Sequence, residues 1–318
     1  MDLPPRQSIN EEYFPRNLME FDEWFSTEDA CEAYLIAIRW PEGFRCPRCG
    51  SDRGWRRRRR VMLCGSCRHE TPLTAGTIFH KTRKPLRLWF KAIWWLTSQK
   101  YGANALGLKR VLGLGSYETA WVWLHKIRRA MVRPGRDRLN GIVEVDESYI
   151  GGIEEGVRGR RTEKKAIVAI AAEARGKRAI GRIRLQRIPD VSAPSLEAFA
   201  RQAIEVGSTI VSDAWSGYAG MKELGYEHVV KVIRGSGQTP HKLLPRPHRV
   251  ASLLDRWLLG TYQGAVSRRH LDYYLDEFTF RFNRRTSRHR GKLFYRLMQH
   301  AVDIEPSTYG DIAGGRWV

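Results

Sequence analysis

Two groups of residues in this chain have the types and spacing to do chemistry. The first is cysteine: Cys46 and Cys49 in "CPRCG" and Cys64 and Cys67 in "CGSC" form two Cys-x2-Cys pairs with 14 residues between them. Four thiolates on two tight knuckles make the closed tetrahedral shell of a structural zinc ion, and this spacing favours zinc over redox pairs or disulfides. Cys31, alone on an upstream helical pattern, reads as a small buried side chain rather than a fifth ligand. The second group is acidic. The stretch "GIVEVDESYIGG" gathers Glu144, Asp146 and Glu147 into a strand-like run, and Asp213 follows the apolar "TIV" of a later one. Strand alternation puts Glu144 and Asp146 on one face and Val143, Val145 and Glu147 on the other. Aspartates from neighbouring strands suit a divalent cation that in turn holds phosphate, although any single aspartate is as readily a surface or capping residue.

The charge balance says why a phosphate site fits. The chain of 318 residues carries 55 Lys plus Arg against 34 Asp plus Glu, a net charge of +21. Residues 1–45 hold 4 basic and 10 acidic side chains, so the excess lies entirely in the rest. Such a surface suits a polyanion, because each phosphate neutralised releases condensed counterions. Nucleic acid is the partner that charge favours, and double-stranded DNA is the form of it that the family resemblance given below implies. No apolar run reaches the roughly 18 residues of a membrane span, and "MDLPPRQSIN" has no apolar signal core, so no membrane partner and a cytoplasmic location are expected. Arg56, Arg57, Arg58, Arg59 and Arg60 lie between the cysteine knuckles, on a hairpin that zinc would stiffen, where phosphate contact is favoured over a merely solvated face.

The elements that must position these residues are legible in outline. Before the cysteines, Ser26 with Asp29 three residues on gives a capping-box-like start to a short helix ending before Pro41. After them, "LRLWFKAIWWLTSQ" has aromatic residues at core spacing. The run "GANALGLKRVLGLGSYETAWVWLHKIRRAM" then gives a helix, a glycine turn and a second helix that Ser116 is placed to cap. This is the outline of a helix-turn-helix with His125, Lys126, Arg128 and Arg129 toward the groove, and equally that of an ordinary helical hairpin. From residue 141 the pattern becomes three strands, a helix, and a strand ending at Asp213, with "EGVRGRRTEKK" as a hairpin loop, which implies an α/β fold with a mixed sheet. Leu271, Tyr274, Leu275, Phe278 and Phe282 form a helical core stripe, and "GDIAGGRWV" reads as a loose tail.

Taken together, the cysteine knuckles, "SYETAWVWLHKIRRAM", "VEVDESYIGG", "VSDAWSGY" and "GTYQGAVSRRHLDYYLDEFTFRFNRR" resemble the zinc-ribbon-bearing DDE-type insertion-sequence transposases of bacteria, over about residues 15–300. The resemblance implies a ribonuclease-H-like catalytic domain in which three side chains hold two Mg or Mn ions. It also implies cutting of the element's terminal inverted repeats and joining of the freed 3' hydroxyl to target DNA. The expected organisation is an N-terminal helical segment (1–40), a zinc ribbon (41–75), a helical, helix-turn-helix-like DNA-binding segment (76–135), the catalytic domain (140–300) and a C-terminal tail (301–318). Pairing two DNA ends implies a homodimer or larger assembly.

Carried over by motif, Asp146 and Asp213 match the first two catalytic carboxylates. Anchoring on "GTY" puts His248 at the third position, where most relatives have glutamate, with 34 residues between it and Asp213. A neutral imidazole supplies a nitrogen in place of an anionic oxygen, which shifts the preference from Mg toward Mn. A ligand histidine must also be unprotonated, so activity is expected to weaken in mild acid. A second departure is Asp255, two helical turns after His248, where relatives carry Lys or Arg. Either Arg256 substitutes for that contact, or Asp255 joins the metals, or this copy is impaired. The rival function is a decayed or repurposed zinc-ribbon DNA-binding protein, and a third is a metal nuclease of RNA or repair intermediates.

Overall fold

The structure, a computed structural model, describes residues 14–133, 135–152, 164–232, 237, 239–264 and 266–314. The "MDLPPRQSIN" terminus, nearly all of the "EGVRGRRTEKK" connection and the last four residues of "GDIAGGRWV" lie outside the described residues. The chain divides into two compact units, Met1–Pro134 with Thr286–Val318, and Gly135–Arg285.

In the first unit, helix α1 (Leu18–Trp24) starts at Asn17, whose side chain accepts the Glu20 N–H at 3.0 Å. Helix α2 (Glu28–Arg39) is the helix expected before the cysteines, but its cap is Thr27, one residue after Ser26: the Thr27 hydroxyl accepts the Ala30 N–H at 3.2 Å. Its buried stripe contains Cys31, Tyr34, Leu35 and Ile38. Strands β1 (Gly54–Arg58), β2 (Val61–Cys64) and β3 (Glu70–Pro72) follow as a small antiparallel sheet in that order. Helix α3 (Leu86–Ser98) buries Trp89, Phe90, Ile93, Trp94 and Leu96, so its aromatic residues are core. Helices α4 (Ala105–Leu112) and α5 (Tyr117–Arg129) are joined by the glycine turn. Gly113 ends α4 at φ +62°, and the Ser116 hydroxyl accepts the Thr119 N–H at 3.2 Å to start α5.

The second unit is built on a mixed sheet of five strands: β4 (Ile142–Ile150), β5 (Ala166–Arg175), β6 (Ala179–Ile188), β7 (Thr209–Asp213) and β8 (Glu227–Lys231). The spatial order is β6-β5-β4-β7-β8. The first three pair antiparallel, whereas β7 runs parallel to β4 and β8 parallel to β7. Three strands, helix α6 (Ala193–Ala203) and a strand ending at Asp213 match the expected order, and the arrangement is the ribonuclease-H-like one. The short edge strand β8 is an addition that sequence patterning did not register. Strand β5 is apolar and mostly small because it is covered on both faces. Ile167, Ala169 and Ala171 pack with Val143, Val145 and α6 on one side. Val168, Ile170 and Ala172 pack on the other with α8 (Pro245–Tyr262), which follows the single turn α7 (Pro240–Leu243), and with α9 (Leu271–Asn283). The stripe Leu271, Tyr274, Leu275, Phe278 and Phe282 lies in that second layer, as expected of core.

Helices α10 (Arg290–Asp303) and α11 (Tyr309–Ala313) belong to the first unit. Phe294 of α10 packs its ring 5.5 Å from Phe21, 5.7 Å from Phe25 and 5.9 Å from Phe90. The described part of the supposed loose tail is a capped helical turn: Thr308 and Asp311 form a capping box, and Ile312 is buried. No helix among the described residues is long and apolar enough to cross a membrane.

Candidate active site

The ribbon brings its four cysteines together. Cys46 and Cys67 have their sulfurs 3.6 Å apart, as do Cys49 and Cys64. Four sulfurs around zinc at about 2.3 Å sit about 3.8 Å from one another, so the cluster has the dimensions of a closed zinc shell. The Cys67 N–H points at the Cys64 sulfur at 3.5 Å and is the main reason that this thiol is pulled down to about 6, toward the thiolate a metal requires. Cys31 lies outside the set, buried, its thiol pushed up to about 12 by desolvation.

Each arginine of the run meets a carboxylate. Arg56 lies 2.6 Å from Glu32 and 2.7 Å from Asp29. Arg57 pairs with Glu70, and Arg58 reaches the same carboxylate at 2.9 Å. Arg59 lies 3.4 Å from Glu32, and Arg60 pairs with Glu28. Glu32 is fully buried. Glu28 also accepts the N–H groups of Leu86 at 2.6 Å and Arg87 at 3.2 Å, which start α3. Burial alone would raise the Glu28 carboxyl, but those N–H groups and Arg60 hold it below the usual carboxylate range. The run thus fastens the ribbon to α2 and braces β1 against β3 within it. Arg57, Arg58 and Arg59 still keep more than half of their side chains exposed (55%, 68% and 65%) and have room to meet phosphate as well.

The α4–α5 pair corrects the expected groove face. Arg128 is 1% exposed and donates to the Ala103 carbonyl at 3.2 Å, and His125 is fully buried. The reason is helical period: Arg128 lies four residues after Leu124 and eight after Ala120, on the stripe that faces the core. Arg129 donates to the Ser307 hydroxyl. Lys126 is half-buried, and desolvation holds its ammonium below the ordinary lysine range. The exposed start of α5 carries Tyr117 and Glu118 instead.

In the second unit the strand register sets the carboxylates. Val143 pairs with Ile210 and Glu144 with Val211 across β4 and β7. Asp146 and Asp213 each lie two residues beyond the last of these pairs, so strand alternation puts both on the face of Glu144 and Val211. That face is the α8 side, since Val143 and Val145 point to the α6 side. Asp213 is the last residue of β7, and its Oδ1 accepts the Trp215 N–H at 3.0 Å; Asp146 Oδ1 accepts the Glu147 N–H at 2.9 Å. His248, in the first turn of α8, brings its Nε2 to 3.4 Å from Asp146 Oδ2. Desolvation first, and His241 second, hold the His248 ring below the ordinary imidazole range, which favours the neutral form and leaves a lone pair to donate.

Two ligand atoms of one octahedral ion at about 2.1 Å lie about 3 Å apart, so the Asp146–His248 separation fits a shared cation. Among the described residues only the four cysteines have all their ligand atoms within 4.8 Å of one another. Asp146, Asp213 and His248 are not gathered that closely.

Residues 138–283 match the ISXO2-like transposase domain, and residues 26–70 match the transposase zinc-ribbon domain. Both matches are to transposase domains, in the order, ribbon before catalytic-type domain, that the resemblance implied. The chain is also 26% identical over 283 residues to an uncharacterized protein in transposable element ISH50 of Halobacterium salinarum, a match covering 81% of this chain and 91% of that relative. Among solved structures, it is similar to the catalytic core domain of BIV integrase, with TM-score 0.31 and 18% identity over 48% of this chain and 89% of that one. A simian T-cell lymphotropic virus intasome in complex with PP2A regulatory subunit B56 gamma gives TM-score 0.32 and 15% identity over 63% of this chain and 72% of the other.

Two contacts around the candidate site have partners too remote in sequence to read locally. Glu144 is buried against Arg246 of α8, 102 residues away. Glu147, on the opposite sheet face from Asp146, accepts the buried Tyr218 hydroxyl at 3.0 Å. Of the three carboxylates in "VEVDES", Asp146 is the one beside His248.

Proposed function

We propose that this transposase binds the terminal inverted repeats of an insertion sequence, cuts the DNA at the element's ends and joins the freed 3' hydroxyl to target DNA, with Asp146, Asp213 and His248 as metal ligands. The observation that carries the reading is an imidazole that desolvation favours as neutral, 3.4 Å from Asp146 in mid-β4, with Asp213 ending the neighbouring parallel strand β7 on the same sheet face. Asp146, the central member, would be shared by two divalent cations, with Asp213 and His248 completing one shell each. Bound there, the cations would activate the attacking oxygen and neutralise charge on the leaving oxygen. The protein's own part is to hold the three ligands on two interior strands of the sheet and a helix start. Zinc in the ribbon would be structural, and the ribbon with α4–α5 would bind the ends, acting as a homodimer or larger assembly when two ends are paired. A nicking assay on DNA carrying the element's own ends tests the function: divalent-cation-dependent cuts at the end boundaries support it, and binding without cutting favours a repurposed DNA-binding protein.

Because His248 supplies nitrogen where a carboxylate would supply oxygen, Mn is expected to support cleavage better than Mg. Rates over matched concentrations of the two ions measure this, and an equal or faster rate in Mg contradicts it.

Asp255 lies seven residues beyond His248, about 10 Å along the helix, which is too far to share an ion with that ring. It is exposed beside Arg256, and burial of its surroundings raises its carboxyl. A carboxylate on this face opposes DNA phosphate, and Arg256 is the neighbouring cation able to make the contact. Asp255→Lys is therefore expected to tighten end binding and to steepen the salt dependence by about one phosphate contact. Filter binding across a salt series reads it; an unchanged slope removes this face from the DNA path.

A further inference from the structure

Helix α8 has an unusual first turn. Its opening residues are Pro245, Arg246, Pro247 and His248, and Leu244 before them offers no side-chain cap. The first four N–H groups of a helix normally lack partners, and here two are abolished by proline. The Arg246 N–H is taken by Glu144 Oε2 at 2.9 Å, so a carboxylate from the middle of β4 caps a helix from across the sheet face. The same carboxylate receives the Arg246 guanidinium through Oε1. The rest of that guanidinium donates to the carbonyls at the β5–β6 turn: Nε to Ala179 at 3.1 Å, and NH2 to Gly176 at 2.8 Å and Lys177 at 3.1 Å. Glu144 and Arg246 are 5% and 8% exposed.

Glu144 stands two residues before Asp146 on the same strand face, and Arg246 stands two residues before His248 in the same helical turn. Whatever fixes the first pair fixes the second. With Arg246 on both of its oxygens, Glu144 is also not the carboxylate that replaces a missing third acidic ligand. We infer that the Glu144–Arg246 pair is a positioning device that holds the His248 ring against Asp146, so that the affinity of the site for its divalent cation depends on two residues that never touch the cation. This rests on the metal-ligand role proposed above for Asp146 and His248.

The test is Mn(II) binding to the full chain, followed by electron paramagnetic resonance of the free ion, together with the Mn concentration for half-maximal cleavage. Wild type and Asp146→Asn come first: binding that does not depend on Asp146 defeats the metal-site reading itself, and this inference with it. With that dependence in hand, Glu144→Gln is expected to weaken Mn binding about 10- to 100-fold, as loss of a ligand-orienting residue does, while zinc content and end binding stay as in wild type. Breaking a buried ion pair on one side can unfold the domain, so the deciding variant is the neutral pair Glu144→Gln with Arg246→Gln. If Mn binding stays weakened in a double variant of wild-type thermal stability, the positioning role holds. Wild-type Mn affinity in that folded double variant overturns it, because the pair would then be a stability element alone.

Discussion

Asp146→Asn is expected to lower divalent-cation-dependent cleavage of the element's ends by more than about a thousandfold and to leave binding of those ends intact. The substitution keeps the shape and nearly the volume of the side chain but removes the negative charge that a shared ligand must supply. The strand register is unaffected, because Asp146 faces outward from the α6 core and its backbone is paired with Ile170 in β5. In the proposed reading end binding rests mainly on the other compact unit, where the ribbon and α4–α5 lie, and on no contact that Asp146 makes. The matched comparison is Glu147→Gln, one residue along and on the opposite face, where the carboxylate accepts the Tyr218 hydroxyl at 3.0 Å. An amide oxygen still accepts that bond, so cleavage should stay within about tenfold of wild type, the weakening expected when a charged acceptor becomes neutral. Single-turnover cleavage of an end-bearing duplex measures both. Retained cleavage in Asp146→Asn removes this residue from the site, and equal loss in the two variants assigns the acidic run a structural role.

Removing zinc should have the second large effect. The ribbon's sheet has strands of five, four and three residues, too little surface to fold alone. A structural zinc contributes on the order of 10–16 kcal/mol of apparent binding energy at neutral pH, far beyond what such a sheet supplies. Its loss would also release the arginine strand from α2, leaving the buried Glu32 without the cations that surround it. Cys64→Ser, or treatment with a strong chelator, is expected to remove one zinc per chain and to abolish amide-exchange protection across β1–β3. Protection across β4 and β5 should persist, since those strands belong to the other unit. A stoichiometry other than one, or a protected ribbon after zinc loss, contradicts this.

The cysteine cluster and the candidate carboxylate site were unequally legible. Cysteine spacing is local, so "CPRC" and "CGSC" announced the ribbon without any knowledge of the fold. Alternation in "IVEVDES" gave the face of each carboxylate correctly, because Val143 and Val145 had to enter a core and fixed the parity of Asp146. His248 carries no local signal of its own and came from resemblance to a family. The failures share a cause. Arg128 was set on a groove face because it is charged, although its spacing from Ala120 and Leu124 makes it part of the buried stripe; a backbone carbonyl at Ala103 satisfies it there. The ion pairs of the five-arginine run were illegible for a like reason, since Glu28, Asp29 and Glu32 lie on a helix some thirty residues upstream. Charge pairing across such distances is set by tertiary docking, which composition and period do not encode. Strand β8 escaped for a related reason: "EHVVK" is short, lies at an edge and keeps most of its side chains in solvent, so it lacks the buried alternation that marks a strand.

The account stands on Asp146, Asp213 and His248 sharing cations. Crystals of the full chain soaked in Mn(II) and recorded at the manganese absorption edge test it most directly. The account predicts anomalous density between the Asp146 carboxylate and the His248 ring, with a second peak toward Asp213. Difference density free of manganese at those three side chains, in crystals that bind the ion elsewhere, would contradict it.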